Sequence, residues 1–134
     1  MSMAIISSFL QEMAETATNN DLDAHMNLIS ESVQLHGVPG QDVIGYEQWK
    51  SQCQQEFADQ LITEVSYEDL KIIPRQDSQL MFTTIETIKT SKGDTQTMTI
   101  EVALSKEEDE TWRMTHQRVL SDHGAQQDSS NRLQ

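Results

Sequence analysis

Residues 111–120 read TWRMTHQRVL, and in an extended strand Trp112, Met114, His116, Arg118 and Leu120 fall on one face because side chains alternate. An imidazole titrates near neutrality and can move a proton at physiological pH. A guanidinium that is buried needs a carboxylate or an anionic ligand to offset its desolvation. His116 is therefore a candidate general acid or base, and Arg118 a candidate partner for either Glu86 or a ligand acid. His36, placed just before Gly37 at the end of a short strand, is a second candidate base. A core histidine, a structural ion pair and a loop histidine explain the same residues without any chemistry.

Apolar walls for such a site come from Tyr46, Trp49 and Phe57, which recur with Cys53 at helical spacing, and from Tyr67, Trp112 and Met114. An aromatic stripe of that kind also builds an ordinary core. Four dispersed histidines and one cysteine have no zinc-ligand spacing, so no metal is expected. No Gly-rich phosphate loop, nucleophile elbow or Ser-His-Asp order is present, and no cofactor is expected. The acidic run Lys106–Glu110 lacks the pattern of a calcium loop and reads as a solvated hairpin turn.

The elements that must position these residues follow from periodicity. Ile5, Ile6, Phe9, Leu10, Met13, Ala14 and Ala17 form a helical stripe from about residue 3 to about residue 18. Asp21 is a candidate N-cap for a second short helix carrying Leu22, His25, Met26 and Ile29. Val33 and Leu35 alternate with polar residues in a short strand, and Gly37, Pro39 and Gly40 end it. A third helix runs from Gly45 to about Asp59. Strands are expected over 62–73, 79–90, 95–105 and 111–120, separated by turn residues short enough to make them antiparallel neighbours. Three helices ahead of a curved, mainly antiparallel sheet make an α+β domain over 1–121, and 122–134 read as a flexible polar tail.

Face assignment depends on register. Placing Leu104 opposite Trp112 pairs Val102 with Met114, Ile100 with His116 and Met98 with Arg118, which turns both basic residues toward the helices. A three-residue turn at Ser91-Lys92-Gly93, with Gly93 left-handed, would put Leu80, Phe82, Thr84, Glu86 and Ile88 on that same inner face. The outer face would carry Thr97, Thr99, Glu101, Ala103, Arg113, Thr115, Gln117 and Val119.

The 134 residues, 36% of them hydrophobic, suffice for one domain with one modest core. A formal charge of -13 repels phosphate backbones, which argues against nucleic acid as a partner. The single Cys53 offers no internal disulfide, the N-terminus has no basic region typical of a signal peptide, and no apolar run suits a membrane. A cytoplasmic protein away from membranes is the expectation.

The pieces NNDLDAHMNLI, VQLHGVPG, VIGYEQWKSQCQQEF and TWRMTHQRVLS, in that order, resemble the nuclear transport factor 2-like superfamily and its SnoaL-like and ketosteroid-isomerase-like members. Trp112, His116, Arg118 and Ser121 look like the W-x-x-x-H-x-H-x-S ending of several branches, with Arg118 in place of the second histidine. The resemblance implies a cone-shaped, cystatin-like roll with an internal pocket, a small apolar or weakly anionic ligand bearing an acid or carbonyl, and a homodimer through the outer sheet face. It also implies rivals: a proton-transfer enzyme using His36 or His116 beside a carbonyl, or a non-catalytic dimerisation module. The ketosteroid isomerases' carboxylate and tyrosine are missing, since Leu35-His36 stands where the carboxylate would fall and the first helix has no Tyr.

Overall fold

The N-terminal stripe folds as expected into α1 (Ser2–Thr18), burying Ile6, Phe9, Leu10, Met13 and Ala17. The computed structural model describes residues 2–75 and 78–126. Asn20, at φ 58°, breaks α1, and the Asp21 carboxylate accepts from the Ala24 amide at 3.3 Å to cap α2 (Leu22–Met26). Then come β1 (Ile29–His36), α3 (Tyr46–Ala58), β2 (Ile62–Ile73), β3 (Leu80–Thr90), β4 (Thr95–Lys106) and β5 (Trp112–Gln126). The molecule is α+β, with the three helices N-terminal to most of a curved, open five-stranded sheet.

Strand order is β1-β5-β4-β3-β2. The last four strands form the expected antiparallel meander, and β1 joins β5 in parallel, so the sheet is mixed. One core holds the helices to the sheet: Ile6, Phe9, Met26, Phe57, Phe82, Ile100, Leu104 and Met114 are all part of it. α1 lies against β2 and α3 against β1.

The β3–β4 turn has the anticipated form. Gly93 sits at φ 90° and its amide donates to Thr90 O at 3.1 Å, while Thr90 donates to Asp94 O at 2.9 Å. The resulting register pairs Glu86 with Met98 and sends Phe82, Thr84 and Glu86 into the interior, where all three are buried.

The β4–β5 register differs from the expectation, and the reason is local. Leu104 pairs with Met114 rather than Trp112, and the next pair is Ala103 with His116, so Thr115 is an extra residue with no partner. Such a bulge breaks strict alternation and reverses the faces beyond it. Met114 stays in the core; His116 and Arg118 then pair with Ala103 and Glu101 on the outer face, while Gln117 pairs with Val102 and is buried. Val119 likewise pairs with the buried Ile100. Gln117 and Val119 therefore leave the expected outer set, and His116 and Arg118 leave the inner one. β5 also runs on to Gln126 instead of ending near residue 120, so 122–126, expected in the tail, are strand; 127–134 lie outside the described residues.

Candidate functional site

β2 and β3 present Tyr67 and Glu86 to each other as cross-strand partners on the inner face. With α2, α3, β4 and β5 they bound a hollow of about 260 Å³ between helices and sheet. Apolar wall comes from Met13 and Ala17 of α1, Trp49 and Phe57 of α3, Val65 of β2 and Met98 of β4. Polar groups enter at Tyr67, Glu86, Gln96, Gln117, His25 and Glu56. A mostly apolar wall with a few placed polar groups is the usual composition of a small-molecule site, although this volume lies just under the roughly 300–1,000 Å³ typical of one.

Glu86 is buried, and burial raises its carboxyl above the usual range; the Tyr67 hydroxyl, donating to it, partly offsets the rise. The Tyr67 phenol is in turn pushed well up by burial and by the neighbouring Glu86. His25 takes the opposite direction: burial lowers it to about 4, so it is neutral at pH 7. Its Nδ1 lies 2.8 Å from the Thr16 hydroxyl, and its ring meets Phe57 edge-on at 5.2 Å between centroids. Cys53 is buried and its thiol is raised to about 12, which leaves it unreactive near neutrality. Among the described residues, no Lys or Arg lines the hollow.

A second hollow, of about 310 Å³, lies between the 38–44 loop and α3. It shares Leu35, Trp49, Cys53 and Glu56 with the first, so the same side chains form a common wall. Glu56 is half-exposed there, whereas Glu86 lies deep.

The histidines singled out by sequence do come together, but on the far side of the sheet. His36, at the end of β1, and His116 of β5 have ring centroids 5.2 Å apart. Glu101 lies beside His116 and Arg118, with its Oε1 at 3.7 Å from His116 Nε2 and 4.0 Å from Arg118 Nε. Burial, His36 and Arg118 lower the pKa of His116 against the opposing pull of Glu101. The Arg118 side chain is 51% exposed, so it carries little desolvation cost and needs no ligand anion. The expected pairing of Arg118 with Glu86 does not form, because the bulge puts the sheet between them.

Of the other expected wall residues, Trp49, Phe57 and Tyr67 line the hollow. Met114 is instead fully buried core and Trp112 packs against that core. Tyr46 faces a separate polar recess around Arg113. Arg113 is a clasp: Nε donates to Asn27 O at 2.8 Å, Nη2 to Asn27 Oδ1 at 2.9 Å, and Nη1 to Glu107 Oε1 at 3.0 Å. Asp109 takes two more bonds at 2.9 Å, and Ser30 donates to Glu107 Oε2 at 2.7 Å. The acidic turn read as merely solvated thus locks the β4–β5 hairpin to the start of β1, with Arg113 holding Asp109 below its ordinary range. Among the described residues no three metal-ligating side chains gather into a potential metal site.

Gln117 and Gln96 were not among the expected site residues. Gln117 was hidden by the bulge, which nothing in TWRMTHQRVL announces, and the apolar stripe of α2 marks His25 for packing without distinguishing a cavity wall from a core.

The profile of the SnoaL-like domain family matches residues 6–121. Among curated proteins none matches the sequence. A solved NTF-2-like protein of unknown function from Shewanella oneidensis superposes with a TM-score of 0.73 at 20% identity, covering 89% of this chain and 98% of that one. A proposed scytalone dehydratase from Novosphingobium aromaticivorans gives 0.73 at 9% identity over 98% and 89% of the two chains. A cystatin-like-fold protein from Nostoc punctiforme gives 0.67 at 9% identity over 91% and 92%. At these identities the likeness is one of fold.

Proposed function

The chain belongs to the SnoaL-like family of the nuclear transport factor 2-like superfamily, and from that premise we propose that it holds a small, mostly apolar molecule in the hollow between its helices and sheet. The observation that carries the reading is the hollow itself: a buried carboxyl, a phenol and two amides set in an apolar wall formed by all the layers of the fold. Polar groups set in an apolar wall can give a ligand its orientation. Of the polar functions expected of the ligand, an acid would meet no cation on the lining. A carbonyl could accept from Gln96 or Gln117. The test is thermal unfolding with benzyl alcohol and acetophenone: a saturable rise in Tm supports the reading, and no rise with any small aromatic overturns it.

Proton transfer by His36 or His116 inside the pocket loses its geometric basis, since both lie across the sheet from the hollow. Their face supports a different role. It is the side of the sheet opposite the helices, and it carries half-buried His116 beside Met81, Ala103 and Thr115. We infer a homodimer formed through this face, more polar than a core and of the wet kind. Sizing at micromolar concentration tests it, with a monomer overturning the inference. Among the described residues no helix is long and apolar enough to cross a membrane, and a reducing, cytoplasmic setting, in keeping with the free buried Cys53, belongs to the same proposal.

A further inference from the structure

The charge inside the hollow has one sign. Glu86 lies deep on its lining, Glu56 stands at the rim shared with the outer hollow, and among the described residues no Lys or Arg lines the hollow to answer either. The titratable neighbours from each packed element are His25 of α2, Cys53 and Glu56 of α3 and Tyr67 of β2. His25 is neutral and Cys53 a thiol near pH 7, so none of them supplies a positive charge. Trp49, Phe57 and Tyr67 also line the hollow, and aromatic faces attract organic cations. The whole chain, at -13, raises the local concentration of cations and lowers that of acids.

From this arrangement we propose that the hollow is a site for a small aromatic or aliphatic amine, bound as its ammonium ion with Glu86 as the counter-charge and Tyr67 fixing the carboxylate. The proposal rests on the reading that the hollow holds a ligand and names that ligand's class. The proton balance is explicit. Burial raises the Glu86 carboxyl; wherever the free protein holds a proton there, the ammonium ion enters and Glu86 releases that proton to solvent as the ion pair forms, whereas a neutral amine would take the proton directly. A buried carboxylate with a partner in hydrogen-bond contact is stable where an unpaired one is not. A ketone or alcohol brings no counter-charge to Glu86 and gains no ion pair.

The experiment is calorimetric titration of the full chain at pH 7 with benzylamine, benzyl alcohol, acetophenone and benzoate. Benzylamine is expected to bind at least about tenfold more tightly than benzyl alcohol, with benzoate weakest. Repeating the benzylamine titration between pH 4 and pH 8 in buffers of different ionisation enthalpy should reveal proton release from the wild-type protein on the acid side of the raised Glu86 pKa. Glu86→Gln should bring benzylamine level with benzyl alcohol and abolish that release. Benzylamine binding no tighter than benzyl alcohol, or bound without proton release, overturns the amine assignment while leaving a ligand site intact. Failure of all four probes to bind overturns both. The proton-release measurement needs only the wild-type chain, so it decides the matter even where Glu86→Gln fails to fold.

Discussion

At the scale of single residues, Gly37 shows how little freedom the end of β1 has. Its φ is 86°, and a Cβ there would come within 2.5 Å of the Val119 carbonyl oxygen. Gly37→Ala must both adopt a left-handed backbone and displace a strand, so it is expected to cost roughly 1–3 kcal/mol, read as a lower denaturation midpoint. Glu86 gives a prediction of opposite sign. Its raised pKa means that above the ordinary carboxyl range the unfolded chain has lost this proton while the folded chain retains it, so stability falls as pH rises from there through the folded pKa. Glu86→Gln should therefore be more stable than wild type at neutral pH and lose that advantage near pH 4, as a pair of melting series would show. Glu86 was legible because a Gly in a three-residue turn dictated its parity. Gln117 was not, because its parity depends on a bulge whose cause lies in packing rather than in residue type.

At the scale of elements, that bulge at Thr115 decides which chemistry faces which side. Every helix and strand is recoverable from apolar period, and so is the β3–β4 register; one unpartnered residue is enough to exchange the contents of two faces downstream. Met114 on one side of it and Gln117 on the other already alternate correctly once Thr115 is left out of the count. Deleting Thr115 is thus expected to leave a folded protein with Gln117 still inside, checked by thermal melting and an unchanged response to ligand. The parallel pairing of β1 with β5 was equally invisible, since a strand of eight residues gives no hint of which edge it will join.

At the scale of the whole molecule, acid stability is governed from the interior by His25. Folded, it titrates near 4, whereas in the unfolded chain it takes up a proton near 6.5, so its own contribution to stability is full above 6.5 and is lost as pH falls from there toward 4. The loss amounts to about 3 kcal/mol, and His25→Gln should flatten that limb of the pH–stability curve without moving the neutral plateau by a comparable amount. The strand order has a consequence of another kind. Among the described residues, β1, the first strand of the sheet in chain order, has β5, the last of the five, as its sheet neighbour, and Arg113 and Asn27 fasten the same two ends. During synthesis the edge of β1 that pairs in the sheet must wait, unpartnered, until β5 has emerged. Closing so long a loop comes late and slowly, which makes the nascent chain, rather than the finished domain, the stage most exposed to aggregation and most dependent on chaperones.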